Sequence, residues 1–147
     1  MELKKEQIQA LIQQAMEARE KAYAPYSNFM VGAALLCADG KVYTGCNVES
    51  VSYSPTTCAE RTALVKAVSE GERKFAAIAV VGGHAGGTVN ENEGVDEYSA
   101  PCGVCRQFLY EFGKDIQVIV AKNLEAYWVH PLEALLPLGF GPEYLQD

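Results

Sequence analysis

The sequence predicts a layered α/β fold around a mixed sheet of about five strands, with the final strand antiparallel to its neighbour. Two nearly continuous apolar runs, Phe75–Val81 and Ile116–Ala121, are typical of strands buried on both faces. Helical segments separate the strands, which favours layers of helices over the sheet. Only Lys122–Glu125 separates the last two predicted strands. A parallel crossover needs about a dozen residues or more, so this last pair should be antiparallel.

A first helix is predicted over Gln7–Ala22, where apolar side chains recur at helical spacing on one face. The residues of that face are Ile8, Leu11, Ile12, Ala15, Met16 and Ala22. Arg19 interrupts the apolar face, and we expect its stem to lie along apolar surface while its guanidinium stays in water. This helix should cover one face of the core.

Two strands, Met30–Cys37 and Val42–Asn47, are predicted to form a hairpin, because Asp39-Gly40 between them is a tight-turn signal. The other predicted elements are a helix over Cys58–Glu70, a loop over Gly82–Ala100, a helix over Cys102–Phe112, a strand over Ala126–Val129 and a helix over Pro131–Leu136. A loop longer than about 12 to 15 residues is often functional or mobile. We expect this one to screen the mouth of a site.

The segments Cys58-Ala59-Glu60 and Pro101-Cys102-Gly103-Val104-Cys105 carry the most chemical information. Cys102 and Cys105 are three residues apart, so a helical turn places both sulfurs on one face. Cys58 adds a third thiolate, and three protein ligands leave the fourth position of a tetrahedral zinc ion open for water. Glu60 stands beside this set as the proton carrier. The sequence therefore predicts one catalytic zinc ion per chain.

Two further expectations follow from this zinc site. Residues two apart do not face each other within a regular helix, so Cys58 and Glu60 can share a site only in the first turn. We therefore expect Cys58 no deeper than the first or second helical position. Three thiolates around a divalent ion leave a net negative charge. Arg61 and Arg106, which each follow a motif residue, are predicted to compensate it by donating hydrogen bonds to thiolate sulfur.

Simpler interpretations of the motif residues exist. Without Cys58, the pair Cys102 and Cys105 would fit a redox pair or two ligands of a structural zinc equally well. The run Thr57-Cys58-Ala59-Glu60 also matches a capping box, in which Glu60 only returns to the amide of Thr57. The complete set of three cysteines and one glutamate favours an open zinc site over both.

The remaining cysteines and the histidines are interpreted as structural. Cys37 and Cys46 lie within apolar strands and suit small core residues. His84 and His130 have no partner ligand at metal spacing, so both are interpreted as polar loop groups.

Length, charge and cysteine count exclude several classes of protein. The 147 residues suit one domain over residues 1–147. A net charge of −7 opposes binding to a phosphate backbone, so no nucleic-acid partner is expected. No apolar run is long enough for a membrane span, and the N-terminus lacks a signal-peptide core, which favours a cytoplasmic location. Five cysteines, an odd number in a reducing compartment, favour metal binding over disulfides.

Several runs along the chain together resemble one known family. They are Tyr26-Ser27-Asn28-Phe29, Val31–Leu35, Gly45–Glu49, Cys58–Ala63, Pro101–Gln107, Leu135-Leu136-Pro137 and Phe140-Gly141-Pro142. In this order they resemble the zinc-dependent cytidine deaminases, specifically the small homotetrameric type with three cysteine ligands. Residue 100 is Ala where that family commonly has Ser. The resemblance implies a three-layer α/β/α fold and assembly as a homotetramer.

The resemblance also implies roles for individual residues. Cys58, Cys102 and Cys105 would hold zinc, and Glu60 would carry protons. The substrate-binding residues would be Phe29, which packs on the pyrimidine, Asn47 and Glu49, which bond the ribose hydroxyls, Ala59, whose backbone meets the base, and Phe140, which reaches the pocket of a neighbouring subunit.

The implied reaction is hydrolytic deamination of cytidine and 2′-deoxycytidine to uridine and 2′-deoxyuridine, with release of ammonia, in pyrimidine salvage. The antiparallel last strand is implied for deaminases of small nucleosides, whereas relatives acting on polynucleotides have a helix before that strand. Two other functions fit parts of the sequence. One is a blasticidin-type aminonucleoside antibiotic deaminase, and the other is a non-catalytic, zinc-stabilised binding module.

Overall fold

The elements of the fold follow the predicted order closely. A computed structural model describes residues 2–85 and 94–146 of the chain. Within them the helices are α1 (Lys5–Arg19), α2 (Ala59–Ser69), α3 (Gly103–Tyr110) and α4 (Leu132–Leu135), with a 3₁₀ turn over Pro142–Leu145; the strands are β1 (Phe29–Cys37), β2 (Val42–Cys46), β3 (Phe75–His84), β4 (Gln117–Ala121) and β5 (Tyr127–Pro131).

The five strands form one mixed sheet in the order β2-β1-β3-β4-β5. β3 and β4 run parallel, and the other neighbouring pairs run antiparallel. The predicted hairpin and the predicted antiparallel final strand are both confirmed. In the last pair, Ala121 faces Tyr127 and Gln117 faces Pro131. The short connection cannot return the chain to the opposite end of the sheet, so β5 must run back along β4.

The helices cover both faces of the sheet, which confirms the three-layer α/β/α arrangement. Successive residues of β1 face opposite layers because side chains alternate along a strand. Ala34 and Leu36 pack in the cluster that contains the apolar face of α1. Ala33 and Leu35 pack in the cluster that contains residues of α2, α3 and α4. β3 and β4 also contribute to both clusters, which explains their unbroken apolar sequences.

Two glycines on the first hairpin let helices lie directly against the sheet. A Cβ atom on Gly32 would overlap the carbonyl oxygen of Ala15 in α1. A Cβ atom on Gly45 would lie 2.5 Å from the amide nitrogen of Ala63 in α2. The backbones of these helices therefore occupy space that any other residue at these positions would need for its side chain.

β3 extends beyond its predicted end, so the predicted loop over Gly82–Ala100 begins later than expected. Gly82 pairs with Val31, and His84 pairs with Phe29 at the start of β1. The long partner strand continues the ladder past the apolar run from which the strand was predicted. Residues 86–93 of that loop, and with them the proposal that it screens the site, lie outside the described residues.

Arg19 also departs from expectation, because its guanidinium does not lie in water. The residue is 2% exposed. Its Nε donates to the carbonyl oxygen of Met30, and its Nη2 donates to the carbonyl oxygens of Gly83 and His84. These backbone acceptors replace water around the buried charge. α1 ends at Arg19 and so stops three residues before its predicted end at Ala22.

In the described parts of the chain, no helix combines the length and the apolar composition that crossing a bilayer requires.

Candidate metal centre and active site

Two helix N-termini bring the predicted zinc ligands together. Cys58 is the N-cap of α2 and has extended backbone angles, with φ −71° and ψ 155°. Cys102 is the N-cap of α3, with φ −68° and ψ 169°, and Cys105 lies in the first turn of α3. Cys58 therefore lies no deeper than predicted. The positive ends of both helix dipoles point at these sulfurs and favour the thiolate form.

The spacing of the three sulfurs suits a tetrahedral zinc ion. The Sγ atoms of Cys58 and Cys102 are 3.7 Å apart, and those of Cys102 and Cys105 are 3.4 Å apart. The three sulfurs all lie within 4.8 Å of one another. Zinc–sulfur bonds of about 2.3 Å in a tetrahedron separate the sulfurs by about 3.8 Å. The cluster therefore fits one zinc ion with little movement, and all five cysteines, each within the described chain, are free thiols.

The pKa values of Cys58 and Cys105 are shifted in opposite directions. A hydrogen bond from the Cys105 thiol, helped by Arg61, lowers the pKa of Cys58 to about 5. The same hydrogen bond to Cys58, together with burial, raises the pKa of Cys105 far above its ordinary value. Between Cys58 and Cys105, the thiolate form is therefore favoured at Cys58. A divalent cation is the group that would allow three sulfurs this close to be thiolates together.

Glu60 lies in the first turn of α2, beside the sulfurs and almost out of contact with solvent. The residue is 4% exposed. Burial is the main cause that raises the pKa of Glu60 to about 7, and the negative charge of Cys58 adds to it. A carboxyl group with such a pKa both accepts and releases a proton near neutral pH, which is what a proton carrier requires.

The capping-box interpretation of Glu60 is wrong. It requires the amide of Thr57 to be free for the glutamate side chain. That amide instead donates to the carbonyl oxygen of Val48 at 2.9 Å, across a short bridge between the two segments. The N-cap is Cys58, one residue later than the box assumes. The Glu60 side chain is therefore not used to cap the N-terminus of α2.

The two arginines beside the motif have different partners. Nη2 of Arg61 lies 3.5 Å from Sγ of Cys58 and 3.3 Å from the carbonyl oxygen of Thr56. Arg106 was expected to donate to sulfur as well. Its Nε instead donates to the carbonyl oxygen of Pro101 at 2.7 Å, and its Nη1 donates to that of Leu135 at 2.8 Å. The helical position after Cys105 points away from the sulfurs, so Arg106 ties the ligand loop to α4.

A cavity of about 330 Å³ is lined by Cys58, Cys102 and Glu60. Its lining residues come from the turn before β1 and the start of β1, the segment between β2 and α2, the start of α2, β3 and the residues before α3; they are Ser27, Phe29, Val31, Asn47, Glu49, Thr56, Thr57, Cys58, Ala59, Glu60, Val80, Ser99, Ala100 and Cys102. Four of the five residues predicted to bind substrate, Phe29, Asn47, Glu49 and Ala59, therefore line one pocket. Its volume lies in the range of small-molecule sites.

Asn47 and Glu49 also hold the chain segment that carries Phe29. Oδ1 of Asn47 accepts from the amide of Val31, and its Nδ2 donates to the carbonyl oxygen of Phe29. Glu49 accepts from the amides of Tyr26 and Ser27 through Oε1. Beyond the end of β2, the Asn47 side chain thus bonds the backbone of β1, and the Glu49 side chain bonds the backbone of the turn before β1.

Phe140, the fifth predicted residue, is not part of this pocket. Its side chain is 55% exposed and stacks on Tyr144 with ring centroids 5.0 Å apart. The carbonyl oxygen of Phe140 accepts from Nε2 of Gln107 in α3. If Phe140 is to enter the pocket of a neighbouring subunit, its side chain must be exposed and lie outside the pocket of its own chain, as it does here.

Four polar residues that line the pocket were not predicted as site residues: Ser27, Thr56, Thr57 and Ser99. Ser27 lies in a run that carries the family resemblance, and that run was the only available signal for it. Ser99 precedes Ala100, and its hydroxyl donates to the carbonyl oxygen of Gly82. Nothing in their local sequence distinguishes Thr56 and Ser99 from ordinary loop residues.

Cys37 differs from the predicted zinc ligands in its surroundings. Cys37 is 1% exposed, and burial raises its pKa to about 11, so it is an inert thiol in the core. Asp39 and Glu72 lie close to it and form a second group of possible metal ligands. Nζ of Lys41 lies 3.9 Å from Asp39 and 3.8 Å from Glu72, so an ammonium group already balances these carboxylates.

Comparisons with known proteins agree with this geometry. The family model described as the cytidine and deoxycytidylate deaminase zinc-binding region matches residues 5–122. A protein of Sporosarcina psychrophila named cytidine deaminase is 45% identical over 139 residues, covering 94% of each chain. The crystal structure of cytidine deaminase from Burkholderia pseudomallei is 50% identical with a TM-score of 0.75, covering 89% of this chain and 97% of that one. The corresponding structure from Mycobacterium tuberculosis is 39% identical with a TM-score of 0.73, covering 90% of this chain and 95% of that one.

Proposed function

Because the chain belongs to the family described as the cytidine and deoxycytidylate deaminase zinc-binding region, we propose that it hydrolyses cytidine and 2′-deoxycytidine to the uridines and ammonia. One observation carries this proposal. Three free cysteine sulfurs lie within 4.8 Å of one another, and two of these cysteines, Cys58 and Cys102, line a pocket of nucleoside-binding size together with the buried Glu60. Pyrimidine salvage is the metabolic role of such a reaction.

Cys58, Cys102 and Cys105 would hold one zinc ion per chain. When bound, zinc supplies an acidified water for attack on C4 of the cytosine ring. The two helix N-termini and Arg61 stabilise negative charge on the ligand set. Among the described residues, Arg106 does not bond a sulfur; it donates to the carbonyl oxygen of Pro101 and so holds the backbone directly before Cys102.

Glu60 would move both protons of the reaction. It first accepts the proton that the attacking water gives up and delivers that proton to N3. It then takes the proton of the hydroxyl added at C4 and delivers it to the amino nitrogen, which leaves as ammonia. The C4 hydroxyl becomes the carbonyl of uridine, and the carboxylate is regenerated. Burial of Glu60 suits this cycle because it keeps the proton affinity of the carboxylate high.

The rest of the pocket would bind the nucleoside. Phe29 packs on the pyrimidine, and the backbone of Ala59, at the start of α2, meets the edge of the base. Asn47 and Glu49, which line the same pocket as Glu60, bond the sugar hydroxyls in this proposal. Such bonds suit these side chains, because Asn donates and accepts while a carboxylate accepts strongly.

The pocket favours a nucleoside over its 5′-phosphate. Among the described residues that line it, none is Lys, Arg or His, whereas two are glutamates. A phosphate would meet repulsion from Glu49 and would have no cation to bind. This charge distribution separates cytidine and deoxycytidine from deoxycytidylate, although the family includes both activities. A net charge of −7 likewise opposes polynucleotide substrates.

Assembly, location and domain organisation complete the proposal. Phe140 is exposed and outside its own pocket, so we expect it to enter the pocket of a neighbour within a homotetramer. We further propose that residues 1–147 form one domain that acts in the cytoplasm.

An absorbance assay tests the function directly. The zinc-loaded protein is given cytidine, 2′-deoxycytidine, 2′-deoxycytidine 5′-monophosphate or blasticidin S, and ammonia release is measured in parallel. We expect turnover of both nucleosides and little of the other two. Preferential turnover of the antibiotic would indicate an antibiotic deaminase. Bound zinc without turnover of any of the four would indicate a binding module.

A further inference from the structure

We propose that Ser27 is a positioning residue, which orients the Glu49 carboxylate and leaves one acceptor position, on Oε2 of Glu49, to receive a sugar hydroxyl. The inference rests on the proposed function, because it assumes that Glu49 binds the sugar. It adds a residue outside the predicted site and a specific atom to which the substrate hydroxyl donates.

The Ser27 hydroxyl joins two parts of the pocket. Its oxygen accepts from the amide of Phe29 at 3.0 Å and donates to Oε2 of Glu49 at 2.5 Å. An amide can only donate and an ionised carboxylate can only accept, so these partners fix the direction of the hydroxyl proton. Ser27, Phe29 and Glu49 all line the same cavity.

The remaining contacts of Glu49 leave little of its carboxylate free. Oε1 accepts from the amide of Tyr26 at 3.0 Å and from that of Ser27 at 3.1 Å. Each carboxylate oxygen offers about two lone pairs, so the donors among the described residues fill both positions on Oε1 and leave one acceptor position on Oε2. These hydrogen bonds, with that from the Ser27 hydroxyl the largest, hold the pKa of Glu49 below its ordinary value and keep it ionised.

The local backbone makes this arrangement possible. Asn28, between Ser27 and Phe29, has φ 61°, in the left-handed region that Asn tolerates better than most residues. Its amide donates to the carbonyl oxygen of Ala24 at 3.0 Å, which closes the turn. The turn directs the amides of Tyr26 and Ser27 toward the Glu49 carboxylate, and β1 begins directly after it at Phe29.

Replacing Ser27 by Ala removes two restraints together. The Glu49 carboxylate loses the donor to Oε2 and, among the described residues, is then held only through Oε1, and the amide of Phe29 loses its acceptor. Within the described chain, Ser27 makes no hydrogen bond to Glu60 or the three cysteines, so proton transfer should be unaffected once substrate is bound. We expect KM for cytidine to rise about tenfold, the usual effect of losing a hydrogen bond to a charged group. We expect kcat to stay within about twofold, since the lost interaction acts in substrate binding.

Variants in a mutant cycle test whether Ser27 acts through Glu49. The set comprises Ser27→Ala, Ser27→Thr, Glu49→Gln and the double variant S27A/E49Q, with Ser69→Ala as a control at the exposed end of α2. Zinc content and melting temperature are measured for each. Ser27→Thr should restore the wild-type KM because it keeps the hydroxyl. The double variant should be clearly less than additive, since Glu49→Gln already removes the carboxylate that Ser27 orients, and only the loss of the acceptor for the Phe29 amide is added.

Sugar analogues supply a readout that a purely structural role would not move. KM is measured with cytidine, 2′-deoxycytidine and 3′-deoxycytidine. The increase caused by Ser27→Ala should shrink for the analogue that lacks the hydroxyl received by Oε2. An equal increase for all three nucleosides, full additivity with Glu49→Gln, or an unchanged KM would overturn the inference. A wild-type protein that binds zinc without deaminating any of these nucleosides would instead overturn the proposed function and this inference with it.

Discussion

The guanidinium of Arg61 lies 3.5 Å from the sulfur of Cys58, so the residue that caps α2 also has a cation beside it. Arg61 follows Cys58 by three residues, which is about one helical turn. Its side chain points back toward the helix N-terminus, as helical side chains usually do, and so reaches the Cys58 sulfur. Its Nε is buried and has no hydrogen-bond partner among the described residues. The guanidinium therefore lies where its charge acts on the Cys58 sulfur, although its hydrogen bonds within the described chain are incomplete.

Replacing Arg61 by Gln should weaken zinc binding by about 10- to 100-fold, because changes beside metal ligands commonly have that effect. The neutral amide removes the positive charge that favours thiolate at Cys58. Zinc affinity is measured by competition with a chelator, and turnover is measured at saturating zinc. Arg73→Gln is the control, because Arg73 is exposed and bonds only the carbonyls of Val68 and Glu72 in the described chain. Equal zinc affinity of Arg61→Gln and wild type would remove Arg61 from this role.

Glu60→Gln should retain zinc and lose about 10²- to 10⁴-fold in turnover, the usual range for a missing general acid–base group. The amide fills the same volume in the buried site but can neither accept nor deliver the protons of the reaction. Zinc content and cytidine turnover are measured on the same preparation. Glu70→Gln, at the exposed C-cap of α2, should behave as wild type. Wild-type turnover by the zinc-loaded Glu60→Gln protein would exclude Glu60 as the proton carrier.

Removing zinc should abolish turnover and lower the melting temperature, because the ion would join the N-termini of α2 and α3. Added zinc should restore both. Cys105→Ser should lose zinc, since Cys105 is a buried member of the ligand cluster. Cys46→Ser should keep it, since Cys46 belongs to neither group of possible ligands in the described chain. A metal-free protein with full turnover would contradict a catalytic role for the ion.

Gly32→Ala should destabilise the fold by about 1–3 kcal/mol or more, the range for forcing extra atoms into a packed interior. The new methyl group would overlap the backbone of α1 at Ala15, and a backbone cannot rotate aside as a side chain can. The free energy of unfolding is measured by urea titration of the zinc-saturated protein. Gly103→Ala is the control, because its new Cβ atom would meet nothing within 4 Å. Equal stability of the two variants would show that α1 shifts without cost.

Phe140→Ala should raise KM several-fold, even though Phe140 does not line the pocket of its own chain. The reason is the proposed contact with the pocket of a neighbouring subunit. Size-exclusion chromatography is run alongside the kinetics, with a tetramer expected for the wild type. Leu145→Ala serves as the control, since Leu145 is also exposed and close in sequence. A fully active monomer, or an unchanged KM in Phe140→Ala, would reject this role.

Most of the fold could be predicted because its signals are local. The apolar runs of β3 and β4 and the short connection to β5 depend on residues close together in the chain. The errors arose where a distant partner decided the outcome. β3 continues to His84 because β1 offers partners there. Arg19 is buried because the carbonyls of Met30, Gly83 and His84 surround it, and no periodicity in α1 carries that information.

The candidate site divides in the same way. Spacing within α3 was enough to pair Cys102 with Cys105, and the positions of Cys58 and Glu60 followed from the geometry of a first helical turn. Which sulfur Arg61 approaches, where Arg106 points and what the Ser27 hydroxyl bonds depend on elements far apart in the chain.

By itself, the sequence determined which atoms are available for chemistry, because side-chain type and helical spacing are properties of short segments. Tertiary structure alone decided which of those atoms meet and how deeply they are buried. Burial sets the proton affinity of Glu60, and packing of the turn over Tyr26–Phe29 sets the free acceptor position of Glu49. The first depends on low-dielectric surroundings and the second on fixed distances between hydrogen-bonding groups, and both exist only after the fold has assembled.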